Sequence, residues 1–304
     1  MVGPLDRKLI RDLWRMKGQA VAIAVVMALG VMMQVMMSGL VSSLDETRRG
    51  YYERYRLADI VAPVTRAPNH VLHQIAALPG VGAVEGRVSG AALIDLAGQA
   101  VPLQAQALSL PYEGDTALNA IRLEAGRLFE RGRPDEAVLL DSFAAAHGLR
   151  PGDTLSATMN GALRAFRITG LARAPEFLYT AAPGEMVPDD SRFGVLWLSP
   201  ATMEAAFDMD GAFNQALVGL ARGAEEAPVI DAIDRLLDRY GATGAFGRED
   251  MFSNRFVSEE IDGLRDSARA IPPIFMAVAA FLLNIVIARM VQAEREEIGL
   301  LKAF

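Results

Sequence analysis

"GQAVAIAVVMALGVMMQVMMSGLVSSL", residues 18–44, carries no charged side chain, and neither does "AIPPIFMAVAAFLLNIVIA", residues 270–288. The hydrocarbon core of a bilayer is about 30 Å thick and an α-helix rises about 1.5 Å per residue, so about 20 residues cross it. Both runs are long enough. The alternative is a buried helix in a soluble core, but such helices seldom go so far without a charge. Pro272 and Pro273 suit the first turn of a helix, where a missing N–H costs nothing. They are therefore expected to mark the start of the second span. Asn284 is expected to bond another helix inside the membrane. A basic leader, Arg7, Lys8, Arg11, Arg15 and Lys17, precedes the first run. A cleaved signal peptide would share that leader. The apolar stretch is too long for one, and residues 31–37 are bulky, so an uncleaved anchor is the better reading.

Charge sets the orientation. Residues 1–17 hold five basic and two acidic side chains, and Arg289, Arg295 and Lys302 follow the second run. By the positive-inside rule both termini are cytoplasmic at the inner membrane, and residues 45–269 lie outside. That outer segment has 22 basic and 32 acidic residues and no lysine, since Lys8, Lys17 and Lys302 all sit in the ends. So acidic a segment is a poor partner for nucleic acid. The absence of cysteine excludes disulfides, thiol catalysis and thiolate metal sites.

Amphipathic stripes continue past both spans. Leu40, Leu44, Thr47, Tyr51 and Tyr55 recur at helical spacing, as do Val257, Ile261, Leu264, Ala268 and Ile271. Two stalks are expected to pack through Leu44, Tyr51, Tyr55, Val257, Ile261 and Leu264; two separate surface helices would show the same stripes. Between them lie a strand at 58–64, a helix at 68–80, and strands joined near Gly98. A second strand and helix follow at 214–221 and 226–241. The two βα units point to one α/β lobe, 58–121 with 201–252, around a β-rich lobe at 122–200. Asn160 and Gly161 mark a tight hairpin inside the β-rich lobe. The fold class is thus α+β. The organisation is a cytoplasmic segment 1–17, a span with its stalk 18–57, the two lobes, a stalk with its span 253–288, and a cytoplasmic tail 289–304.

Catalytic signals are weak. His70 and His73 stand i, i+3, as two metal ligands could, but no acidic residue completes a site. Asp141, Ser142 and His147 could form a hydrolytic set; an N-cap at Asp141 or Ser142 explains that stretch more simply. No phosphate-binding loop is present, so the chain itself is not expected to bind ATP or any other cofactor. Read from the residues alone, the tail Glu294, Arg295, Glu296, Glu297, Ile298, Gly299, Leu301 and Lys302 is a short amphipathic helix. It either docks in a partner's groove or simply ends the span.

The order of these parts resembles the MacB/FtsX-like ABC transporter permeases. "QIAALPGVGAVEGRV" (74–88) is similar to that family's entry into its outer domain. "EAVLLDSFAAAHGLRPGDTLSA" (136–157) is similar to its strand, short helix and Gly-Asp turn. Glu297, Ile298, Gly299, Leu301, Lys302 and Ala303 match its segment after the second span. The resemblance covers nearly the whole chain and implies a permease subunit, not an enzyme. Its implied partners are a cytoplasmic ABC ATPase touching residues 294–302, a second permease copy or half, and a periplasmic adaptor or a lipid or lipoprotein substrate. Relatives add further spans after this tail, so the chain is expected to be the N-terminal part of a longer permease. The rival reading is a two-span receptor with an outer ligand-sensing domain, which predicts an apolar pocket there. An assembly or adaptor protein is a third.

Overall fold

A computed structural model describes residues 11, 14 and 17–293, except 97, 98, 100, 183, 184 and 186. By internal contacts the chain divides into a helical unit, Met1–Thr47 with Glu259–Phe304, and an outer unit, Arg48–Ser258.

Helix α1 runs Lys17–Arg54, and the last helix of the chain, introduced here by its range Phe252–Ala293, returns antiparallel to it. Both hold stretches long and apolar enough to cross a membrane, and only 11% of either stretch is buried within the protein. A soluble core helix would be mostly buried, so these surfaces suit lipid instead. The two helices meet closely at Gly30, where an added Cβ would stand 3.4 Å from Phe275 Cβ. Small residues let helix backbones approach in this way. Ile23, Gly30 and Ala279 are buried, with Val26, Met33 and Val286 half-buried along the same faces.

Counting outward from the contact of Gly30 with Phe275, Arg269 stands about level with Met36, and Arg289 about level with Lys17. The uncharged stretch common to both helices is then about 19 residues, or roughly 28 Å at 1.5 Å per residue. That matches a bilayer core. The uncharged residues of α1 beyond Met37 run level with Asp262, Arg265 and Asp266 of the returning helix, and those charges exclude that level from hydrocarbon.

The prolines correct the expectation drawn from them. Pro272 and Pro273 do not open a helix; they lie twenty residues inside one. Each removes a backbone donor, and the ring crowds the preceding turn, which are the known causes of a helix kink. The stalk before residue 271 and the apolar run after it form one helix, Phe252–Ala293.

In the outer unit, β1 (Ile60–Pro68), β2 (Val81–Arg87), β10 (Ala212–Leu220) and β11 (Phe246–Gly247) form a four-stranded sheet in the order β11-β1-β10-β2. Helices α2 (Val71–Ala76) and α5 (Glu226–Leu237) cover one face, with Val71, Ile75, Val229, Ile233 and Leu237 buried against Ile60, Phe213 and Val218. The other strands are β3 (Ser89–Asp95), β4 (Leu103–Ser109), β5 (Arg122–Gly126), β6 (Glu136–Leu140), β7 (Thr154–Met159), β8 (Ala162–Arg173) and β9 (Phe193–Leu198). They make a mixed seven-stranded sheet in the order β5-β8-β6-β9-β4-β3-β7. Its central strands β6 and β9 are buried along their whole length, and apart from Glu136, which pairs with Arg127, both are apolar throughout. Trp197, Phe143 and Phe166 fill its core, with α3 (Asp141–His147) and α4 (Pro200–Phe207) as covering helices.

Some local expectations match this architecture and others do not. Asn160 and Gly161, both at positive φ, make the two-residue hairpin between β7 and β8, with Met159 opposite Ala162. Neither Asp141 nor Ser142 caps α3: Leu140 holds the cap position without a side-chain bond, and Asp141 pairs with Arg173 at 2.6 Å. The sheets also divide the chain differently from the expected lobe at 58–121, because β3 and β4 belong to the seven-stranded sheet. The chain changes sheets at Val88. There the Asn214 amide from β10 accepts from the Ser89 N–H and donates to its carbonyl, both at 2.7 Å. That side chain supplies the pairing a neighbouring strand would give, so the crossing leaves no orphan backbone group.

Candidate functional site

Where the α1 chain enters the outer unit, several buried polar groups converge. Arg87 of β2 places both terminal nitrogens on the Glu176 carboxylate at 2.6 and 2.7 Å, and its Nε donates to Gln215 Oε1 of β10 at 2.6 Å. The two charged side chains are 9% and 10% exposed. Glu176 sits in a short 3-10 turn after β8, so this pair ties the four-stranded sheet to the seven-stranded one. Glu176 also accepts from Asn119 Nδ2 at 2.7 Å, while Asn119 Oδ1 accepts the Ala58 N–H at 2.7 Å. Asn119 in turn donates its backbone N–H to the Arg56 carbonyl. One connected network therefore runs from the end of α1 through Asn119 and Glu176 to both sheets. A bidentate guanidinium–carboxylate pair with further bonds at Arg87 Nε and at Glu176 Oε2 is geometrically demanding, so it resists independent movement of the parts it joins.

A second clamp grips the same segment from the other side. Arg248 donates to the carbonyls of Leu57 and Ala58 and lies 3.1 Å from the Asp59 carboxylate. Its own carbonyl accepts from Asn254 Nδ2 at 2.8 Å, at the start of the returning helix. Leu57, Ala58, Val61, Leu217 and Met251 pack beneath as a small apolar core. Residues 56–59 are thus held by both sheets and by the segment leading into the second long helix.

Beside the buried ion pair lies a cleft of about 350 Å³, lined by Arg87, Glu176, Phe177, Phe193, Phe246 and Met251 among others. Its surface is mostly apolar, with the ion pair, Gln106, Gln215, Tyr179, Thr180, Asp250 and Ser253 as its polar groups.

The residues singled out from the sequence fall as follows. Leu44 is exposed, while Val41, Asp45 and Arg48 are the half-buried positions of that part of α1. The Tyr51 and Tyr55 rings touch at 4.7 Å between centroids. Val257 and Leu264 are half-buried and Ile261 is buried. Asn284 is exposed. Glu294, Arg295, Glu296, Glu297, Ile298, Gly299, Leu301 and Lys302 lie outside the described residues. His147 bonds the Ser191 carbonyl at 2.8 Å and packs its ring against Phe143 at a tilt of 51°, a structural role. Sequence reasoning missed Arg87, Asn119, Glu176 and Arg248. No periodicity marks them, because the partners are 57 to 191 positions apart.

A family model described as the MacB-like periplasmic core domain matches residues 20–236. The chain is also similar to two solved structures. The periplasmic region of MacB from Actinobacillus actinomycetemcomitans aligns at 11% identity and TM-score 0.40, over 69% of this chain and 95% of that one. The extracellular domain of the ABC-type transporter YknZ from Gram-positive bacteria aligns at 9% identity and TM-score 0.40, over 62% of this chain and 98% of that one. No curated protein matches the chain.

Proposed function

The chain belongs to the MacB-like family of ABC-type transporter permeases, and from that premise we propose that it carries force from a cytoplasmic ATPase to its outer unit. The observation that supports this reading most is the network that clamps residues 56–59. Any tilt of α1 reaching those residues is delivered through Asn119 to the pair of Arg87 and Glu176, and so to both sheets. In this reading a separate ATPase presses on residues 294–302. The helices between Lys17 and Arg289 tilt, and the spacing of the outer lobes changes. Asn284 is exposed on an otherwise apolar surface, and an amide at bilayer depth needs a partner, so that side is assigned to a further helix or a second copy. Both termini are placed in the cytoplasm. A lipid, a lipoprotein or an adaptor is the outer partner class.

The test is an uncoupling insertion. Two glycines placed after Ser267 interrupt the returning helix without touching either clamp. Expected is an ATPase partner that still binds and hydrolyses ATP, while spin labels on the outer lobes no longer respond to nucleotide. An unchanged outer response would refute force transmission through this helix. A ligand-sensing receptor remains a second reading because of the apolar cleft beside Glu176. It predicts that a bound ligand, with no ATPase present, moves the helices.

A further inference from the structure

We propose that the cleft beside Arg87 and Glu176 binds a small uncharged molecule that carries an aromatic ring and a carboxamide-type group. No single element makes this cleft. Gln215 of β10 and Phe246 of β11 come from the four-stranded sheet, Gln106 of β4 and Phe193 of β9 from the seven-stranded one. Phe177, from the turn after β8, and Met251 add to the apolar wall. All of these residues lie in the outer unit. At about 350 Å³ the cleft is at the small end of the range for ligand sites, which favour junctions of this kind. Phenyl rings gathered in so small a space offer faces and edges to an aromatic guest. The proposal names what the cleft of the receptor reading would hold, and in that sense rests on it, but it needs no helix movement.

The polar groups exclude charge and select an amide. Arg87 commits all three of its nitrogens, one to Gln215 and two to Glu176. Glu176 accepts from Asn119 as well. The two buried charges are thus spent on each other, and an ionised ligand would lose its hydration without meeting a free buried counterion. Asp250 is exposed, so water and salt screen it. The glutamines differ. Arginine can only donate, so Gln215 must turn Oε1 to Arg87 Nε, and its NH₂ group is left over. Gln106 donates from Nε2 to Ser89 Oγ at 2.9 Å, which leaves its Oε1 over. Neither leftover atom has a partner among the described residues, and neither is sealed from solvent. One is a donor on the four-stranded sheet and the other an acceptor on the seven-stranded one. A carboxamide carries the converse pair in one group.

The experiment uses the full chain in maltoside micelles, with empty micelles as the blank. Three probes share one ring and one chain length: 3-phenylpropanamide, 3-phenylpropanoate and 3-phenylpropylammonium. Each is titrated at pH 7 and followed by saturation-transfer NMR. The amide should bind saturably and about tenfold or more tightly than either ion. Ala181→Trp puts an indole into the cleft wall and should abolish binding. Gln106→Leu should weaken it about fivefold, the worth of one neutral hydrogen bond. Gln106→Leu leaves the bonds of Arg87 intact, and melting curves confirm that both variants fold. No saturable signal above the blank would overturn the proposal. So would an ion that binds as tightly as the amide, or parent-like affinity in folded Ala181→Trp. Spin labels on the helices are read in the same samples. Amide binding without helix movement upholds this site and counts against the receptor reading alone.

Discussion

Glu85 and Glu136 are shifted in opposite directions, and each has a readable cause. Burial pushes the Glu85 carboxyl above its ordinary value of 4.5, against the pull of the Leu118 and Ala117 backbone N–H groups. Its folded form therefore holds a proton that the unfolded chain has released, so stability falls as pH rises from 4.5 through the folded value. Glu85→Gln should raise the melting temperature at pH 7, and the gain should vanish near pH 4. The Arg127 guanidinium holds Glu136 below 4.5, and two bonds at 2.6 and 2.9 Å join them. Here stability is present above pH 4.5 and is lost as pH falls through the lowered value. Glu136→Gln should lower the melting temperature at pH 7 and matter less in acid. Melts of the full chain in micelles from pH 3 to pH 8 check both signs. Glu176 is the costlier residue to lose. Glu176→Ala strands a buried guanidinium, and removing one partner of a buried pair costs about 3–5 kcal/mol. Urea unfolding should show that loss; a change under 1 kcal/mol would mean the pair is not the joint between the sheets. None of these partners was legible in the sequence, because arginine and glutamate look alike whether solvated or buried.

Elements were legible where one local rule decided them. Asn160 and Gly161 set a hairpin by backbone sterics alone. Two kinds of element were misread, for physical reasons. Pro272 and Pro273 looked like a helix start because proline is at home there, but the stripes on either side favour one helix through them. The stripe expected on α1 coincides only in part with the half-buried face, Tyr51 and Tyr55 being half-buried and Leu44 exposed, since a stripe of apolar residues does not say which side meets protein and which meets lipid. The contact of Gly30 with Phe275 gives a direct test. Disulfides need Cβ atoms about 3.5–4.5 Å apart, and these stand at 3.4 Å. The chain has no cysteine of its own, so an introduced pair reports cleanly. Gly30→Cys with Phe275→Cys should oxidise to near completion in membranes, seen as a mobility shift reversed by reductant. Gly39→Cys with Phe275→Cys should not. Equal cross-linking of both pairs would mean the helices slide rather than hold this register.

At the scale of the whole molecule, the strongest signal was the segregation of charge. Every lysine lies in the first 17 residues or at position 302, and the long segment between the two uncharged runs has none. The two-helix organisation around a mixed α/β outer unit was therefore visible early, while the path of the chain between sheets was not, because it depends on Asn214 reaching a residue 125 positions away. The lysine pattern also makes the orientation testable without engineering. A membrane-impermeant amine reagent added to intact spheroplasts should leave this chain unlabelled, since arginine does not react and the outer segment offers no primary amine. Permeabilising the cells should expose the amino terminus and the three lysines together, giving up to four labels by mass. Two assumptions enter, that basic ends stay inside and that the helices between Lys17 and Arg289 cross the bilayer once each. Labelling of both ends in intact spheroplasts would break the first, and labelling of one end alone in intact spheroplasts would break the second. Either result would also remove the route by which a cytoplasmic ATPase could reach residues 294–302.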